Sequence, residues 1–203
     1  MLLFLDVISP IPEFCVIDDN KVILKKKIIQ NETDRLSDNI IQSYIEIDKR
    51  LNLTQNIKKI STTIGPGSYT SLRVGSAFIS GLMISRKIPY YPLSIEDILN
   101  FNSNKSSKNN LGVFITSSNN QEFLCYKNEN NEMKYNKIEN NKYSIPKHIE
   151  IILFNKTEIN KNNKFEQIQF SFFEEFYKNY NNLTFKKNIT IKPIYISNNQ
   201  LLN

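Results

Sequence analysis

Several residue types on which protein chemistry often depends are scarce in this chain. It has no tryptophan, one histidine, two cysteines and five glycines in 203 residues. With His148 alone, a two-histidine zinc motif is excluded, and a serine-histidine-aspartate triad has only one base to draw on. No Gly-x-Ser-x-Gly elbow accompanies it. Cys15 and Cys125 stand far apart, without the paired spacing of a metal or redox motif, which reads as a reduced chain. No apolar run approaches the length of a membrane span. Residues 1–7 are apolar but few, contain Asp6 and lack a basic leader, so a soluble cytoplasmic protein with no membrane attachment is expected.

What remains is ordinary globular material. Hydrophobic residues make up 40% and aromatic residues 11%, enough for a real core. The length permits one large domain or two small ones. A net charge of +6 favours acidic partners, RNA among them, although the lysines are scattered and form no stripe on any expected helix.

The apolar pattern gives strands over residues 2–7, 14–17 and 22–29, joined by turns rich in proline, aspartate and asparagine. Leu36, Ile40, Ile41, Tyr44, Ile45 and Leu51 then fall at helical spacing, with Thr33 or Ser37 as candidate caps. A strand over 57–64, a helix over 70–86, a strand over 90–93 and a short Ser94-capped helix over 95–101 follow. Residues 102–110 are polar and mark a boundary, dividing an N-terminal subdomain (1–101) from a smaller one (111–203). In the latter, strands are expected over 111–115, 123–126, 149–154 and 189–196, and a helix over 170–180. The opening order of three strands, helix, strand, helix, strand suits an α/β fold, a mixed sheet with helices packed on it, as in the ribonuclease-H-like unit of actin and sugar kinases.

Four of the five glycines are Gly65, Gly67, Gly75 and Gly81. Gly65-Pro66-Gly67 is a tight-turn sequence in which Gly67 can take positive φ, and Ser68 or Thr70 can cap the helix behind it. Two readings stay open. The free N–H groups of such a helix start can hold an anion, with Arg73 adding charge. Equally, the turn can serve only to dock the helix on the sheet; the lysine and spacing of a Walker loop are absent. The helix itself mixes small residues (Gly75, Ser76, Ala77, Ser80, Gly81) with Leu72, Val74, Phe78, Ile79, Leu82 and Met83. Its apolar arc is wide enough to bury two sides, against its own sheet and against either a partner or another part of the chain. Asp6, at a strand end, sits where ribonuclease-H-like enzymes keep an acid. A hydrogen-bonded strand end explains it as well, and no second and third carboxylate join it for two-metal chemistry.

Ile64-Gly65-Pro66-Gly67-Ser68-Tyr69-Thr70-Ser71-Leu72-Arg73-Val74-Gly75 resembles the signature of the bacterial TsaB family: Gly-Pro-Gly-Ser, an aromatic, Thr-Gly, an aliphatic, Arg, an aliphatic, Gly. The likeness continues through Gly81-Leu82, Ile88-Pro89 and Leu93-Ser94, and Leu3-Phe4-Leu5-Asp6 and Pro193-Ile194-Tyr195-Ile196 resemble the family's two ends. The family's Asp-Thr-Ser is Asp6-Val7-Ile8 here, its glycine after the threonine is Ser71, and its acidic-basic segment survives only as Glu122, so the chain resembles a divergent member. The resemblance implies an actin-like ATPase (ribonuclease-H-like, ASKHA) fold of two subdomains. It implies a non-catalytic subunit of the machinery that adds threonylcarbamoyl to tRNA, with no metal and no cofactor of its own. The implied partners are TsaD, the catalytic subunit, in a heterodimer; TsaE in a ternary complex; tRNA through that complex; and, as in related chains, a second copy. Family pairing uses the two N-terminal helices, which puts Ile40, Tyr44, Gly75, Phe78, Gly81 and Leu82 at the contact. The nucleotide-like loop would be Gly65, Pro66, Gly67, Ser68, Tyr69, Thr70 and Arg73, and Asp6 a vestigial strand-end acid. The alternatives are a nucleotide-binding enzyme of the actin-like class using Asp6, the loop and Arg73, and a basic RNA-binding module.

Overall fold

In a computed structural model, the apolar start of the chain becomes β1 (Leu2–Asp6), buried along its whole length. Its burial on both faces follows from its central place in a five-stranded sheet. On one side it pairs antiparallel with β2 (Glu13–Asp18), which pairs antiparallel with β3 (Lys21–Lys27). On the other it pairs parallel with β4 (Lys59–Thr63), and β4 pairs parallel with β5 (Tyr90–Leu93). The order is β3-β2-β1-β4-β5. Residues 1–30, 34–103, 110–139, 144–156 and 165–196 are described by the structure.

The two parallel crossovers carry long helices. α1 (Leu36–Leu51) turns Leu36, Ile40, Ser43, Tyr44 and Ile47 inward, the spacing of one helical face. Ser37 is not its cap: it lies inside the first turn, its hydroxyl 2.7 Å from Asp38, while Arg35 occupies the cap position with no side-chain bond. Thr33, the other candidate, lies outside the described residues. A left-handed Asn52 closes α1 and leads into the short α2 (Leu53–Asn56). α3 (Tyr69–Arg86) buries Ser71, Leu72, Gly75, Ile79 and Met83 and ends at a left-handed Lys87, just before Pro89. Ser94 and Asp97 form a reciprocal capping box at α4 (Ile95–Phe101).

The second sheet repeats the first. Its strands β6 (Leu111–Thr116), β7 (Glu122–Lys127) and β8 (Met133–Ile138) are an antiparallel series, and β9 (Ile151–Phe154) and β10 (Glu166–Gln169) run parallel beyond β6. The order, β8-β7-β6-β9-β10, is that of the first sheet. α5 (Phe172–Asn179), capped by Ser171, returns to the first sheet, where Phe176 stacks on Phe4 at 4.7 Å and Phe173 tilts against it at 5.6 Å. Buried Glu175 of α5 accepts from Asn102 at 3.1 Å and from Lys178 at 2.9 Å, tying α5 to the end of α4. One core cluster runs from the first sheet through α5 to the inner face of the second.

Sequence patterning missed β8, β10 and the short α2, and expected one strand that is absent. β8 and β10, half-polar edge strands, were not anticipated, because an edge strand shows little apolar alternation. The strand expected over 189–196 is absent: the segment is held by single points, Ile194 N–H to the Ile64 carbonyl at 2.7 Å among them, and Pro193 has no N–H to extend a ladder. Of the polar boundary at 102–110, residues 104–109 lie outside the described residues. Among the described residues no helix is long and apolar enough to cross a membrane.

Candidate functional site

Asp6 sits at the exit of β1, 3% exposed. Its Oδ1 accepts three hydrogen bonds, from the N–H groups of Ile8 (2.9 Å) and Ser9 (3.2 Å) and from the Thr63 hydroxyl (3.2 Å). The Thr63 hydroxyl oxygen in turn accepts from Val7 N–H at 3.0 Å. The carboxyl therefore pins the turn after β1 to the end of β4. Burial raises its pKa above the ordinary aspartate value, partly offset by the Ser9 hydroxyl, then by the Ile8 and Ser9 N–H groups and by Thr63. Glu13, its cross-strand neighbour, is raised as well, by burial first and then by Asp6. Among the described residues no three His, Cys, Asp or Glu side chains cluster as metal ligands would. His148 Nε2 lies 3.2 Å from the Lys127 carbonyl, so it acts as a donor, with its ring edge-on to Tyr126. Both cysteine thiols are buried, and burial pushes their pKa values up.

The glycine loop is a joint between four parts of the chain. Positive φ falls on Gly65 (+114°), not on Gly67 as the turn sequence suggested, and the Gly65–Pro66 peptide is cis. The reason for glycine at 65 is close approach: a Cβ there would lie 2.5 Å from the Ile194 carbonyl oxygen. Gly67 packs over Ile8. Ser68 caps α3, its hydroxyl accepting from Ser71 N–H at 3.4 Å. The Ser71 hydroxyl meets the Ser118 hydroxyl at 2.8 Å, and Ser118 N–H donates to the Ile8 carbonyl at 3.1 Å. Thus the β1 exit, the α3 start, the β6–β7 turn and the C-terminal segment converge here. Gly65, Pro66 and Ser68 are buried, whereas Tyr69, Thr70 and Arg73 are exposed. Arg73 does not reach over the loop. Its guanidinium lies 5.2 Å from the centre of the Tyr69 ring, with Nη1 3.5 Å from the hydroxyl.

The residues expected at a helix contact divide into two sets. Ile40 and Tyr44 face inward; Tyr44 meets Phe78 edge-on at 5.2 Å and Phe14 at 6.2 Å, and its hydroxyl lies 3.0 Å from that of Thr54. Gly75 also serves the interior, since a Cβ there would stand 2.6 Å from Val7. Gly81 is different: it is exposed, and a Cβ would meet nothing within 4 Å. Phe78 and Leu82 are half-buried beside it. The outward apolar residues of these helices are Ile41 (55% exposed) and Ile45 (39%) on α1 and Ile84 (80%) on α3. Sequence reasoning counted Ile41 and Ile45 toward the helical spacing but placed none of these three at the contact. The signal was available in α1, where the adjacent pairs Ile40-Ile41 and Tyr44-Ile45 give an apolar arc too wide for one buried face.

Comparison with solved structures finds the same architecture. The structure superposes on that of an uncharacterized protein with similarity to peptidase YEAZ from Pseudomonas aeruginosa with a TM-score of 0.62, at 11% identity over 97% of this chain and 99% of that one. YeaZ from Pseudomonas aeruginosa gives a TM-score of 0.60, also at 11% identity, over 96% of this chain and 99% of the other. No curated protein sequence matches the chain. With its two mixed sheets of one order and packed helices, the molecule has the two-subdomain actin-like fold. A family model described as TsaD, tRNA N6-adenosine threonylcarbamoyltransferase, matches residues 27–190, and the chain belongs to that family.

Proposed function

We propose that this chain is a TsaB-like, non-catalytic cytoplasmic subunit of the tRNA threonylcarbamoyladenosine machinery, which docks TsaD through the outward sides of α1 and α3. In this reading residues 1–101 carry the docking face, residues 111–203 supply the smaller subdomain, and TsaE and tRNA join through the assembly. The observation that carries it is Gly81. Glycine inside a helix is less favourable than alanine by about 1 kcal/mol, and among the described residues nothing occupies the space a Cβ would take. A partner backbone approaching closely would explain the missing side chain. Exposed Ile41, Ile45 and Ile84 on the same two helices support the reading, because apolar area of this kind is what a partner covers. Asp6 gives no support to the enzymatic alternative, because its Oδ1 is taken up by the β1 exit.

Reconstitution tests the proposal. TsaD, TsaC and TsaE from the same genome are supplied with tRNA, threonine, bicarbonate and ATP, with and without this chain. Modified tRNA only in its presence is the expected result. Equal modification without it would sink the reading, and saturable ATP binding by the chain alone would favour the nucleotide-binding alternative.

A further inference from the structure

Two exposed tyrosines lie together where the start of α3 meets the C-terminal segment. Tyr69 is 57% exposed and Tyr195 39%, with ring centres 4.9 Å apart. Arg73, one turn along α3, lays its guanidinium against the Tyr69 ring. The arrangement is built by the backbone. The missing side chain of Gly65 lets the Ile194 carbonyl close in, and Ile194 N–H bonds to the Ile64 carbonyl at 2.7 Å, which places Tyr195 beside Tyr69.

The two stretches of chain that carry this pair hold basic side chains and no acidic one. Residues 49–95 contain seven lysines and arginines and no carboxylate; residues 176–203 contain four and none. The rest of the chain holds 15 basic residues against 20 acidic ones. The whole excess of positive charge therefore belongs to the two segments that the fold brings together. They touch again where Lys59 sits 5.0 Å over the Phe185 ring and where Tyr90 and Lys186 exchange backbone hydrogen bonds.

Exposed aromatic faces beside a guanidinium suit an unpaired nucleotide: a base stacks on a ring while the cation meets a phosphate. We infer that Tyr69, Tyr195 and Arg73 form a contact platform for an unpaired stretch of the tRNA, so that this subunit touches the substrate RNA itself. The inference rests on the reading of the chain as a subunit acting on tRNA. It places the RNA contact apart from the protein contact, because Tyr69 and Gly81 are about 18 Å apart along α3 at 1.5 Å per residue.

The test is binding of an unmodified tRNA transcript to the full chain without TsaD, followed by fluorescence anisotropy from about 50 to about 200 mM salt. Tyr195→Ala and Tyr69→Ala are each expected to weaken binding about tenfold, while Tyr195→Phe, which keeps the ring, stays close to wild type. Arg73→Gln should flatten the salt dependence by about 0.7 in the log–log slope, one phosphate contact on a single strand. Failure of the wild-type chain to bind at the lowest salt would overturn the inference, as would unchanged binding by Tyr195→Ala. Variants that spare RNA binding but weaken capture of TsaD or TsaE would also overturn it, by assigning the platform to a protein. Because TsaD is absent from the RNA titration, ring-dependent RNA binding can stand even if the docking face on α1 and α3 proves wrong.

Discussion

The two halves of the molecule share a sheet order and differ in what covers it. In the first, the crossovers between β3 and β4 and between β4 and β5 contain α1 and α3, of 16 and 18 residues. In the second, the corresponding connections are only residues 139–150 and 155–165, too short to hold helices of that length. The first sheet is therefore packed on both faces, by α1 and α3 on one side and α5 on the other. The second sheet has its inner face in the main core, but its outer face holds a separate small cluster of Phe114, Leu124, Ile138, Ile149 and Ile152. The surfaces differ accordingly. Among the described residues, every exposed large hydrophobic lies between positions 11 and 84 or at Tyr195, and none lies on the second sheet. Among the described residues, the exposed large hydrophobics other than Tyr195 thus belong to the half that carries the long helices.

The largest effect expected of this comparison concerns stability. Phe4→Ala empties the space between β1 and α5, where two other rings rest on it, and should cost about 3–5 kcal/mol. Phe114→Ala, in the smaller outer cluster of the second sheet, should cost less, since Phe114 is 8% exposed where Phe4 is fully buried. Denaturant titration of both variants checks the order; equal losses would mean that the second sheet's outer face is as well packed as the first sheet's core.

A smaller effect involves the acid pair at the edge of β1. A carboxyl whose folded pKa lies above its unfolded one binds its proton more tightly in the folded state. Its contribution is then fully present below the unfolded pKa, about 3.9 for aspartate, and is lost as pH rises through the folded value. Asp6 and Glu13 are both raised, so wild-type stability should fall as pH climbs out of the carboxylate range. The bonds from Ile8 N–H, Ser9 N–H and the Thr63 hydroxyl fall on Oδ1, which an amide oxygen can reproduce. Asp6→Asn should therefore fold and show a shallower decline over that window, measured by thermal unfolding across pH. An unchanged profile would show that Asp6 is ionised at no cost in the folded chain.

Legibility from sequence follows the same division. In the first half, the 3.6-residue and strand patterns give α1, α3, α4 and all five strand positions within one or two residues, because most of these elements bury a continuous apolar face. In the second half, β8 and β10 carry too few buried residues to announce themselves, and residues 189–196 look like a strand yet are tied by isolated bonds. The glycine motif was visible, but not what it does: positive φ at Gly65 and the contact with Ile194 depend on a segment some 130 residues away. The same distance hid the pairing of Tyr69 with Tyr195, which exists only once the C-terminal segment lies beside the start of α3. Gly75 and Gly81 looked alike in sequence as small residues on one helix, and only packing separates the inward one from the outward one.

That pair supplies the most direct test of the docking face. Alanine at 75 must displace Val7, and Gly75→Ala should destabilise the chain by about 1–3 kcal/mol. Alanine at 81 meets nothing, so Gly81→Ala should stabilise the free chain by up to about 1 kcal/mol through helix propensity alone. The decisive measurement is the affinity of the Gly81→Ala chain for TsaD by calorimetry, beside its unfolding midpoint. The account predicts a more stable protein that binds its partner more weakly. A more stable protein that binds TsaD as tightly as wild type would contradict it.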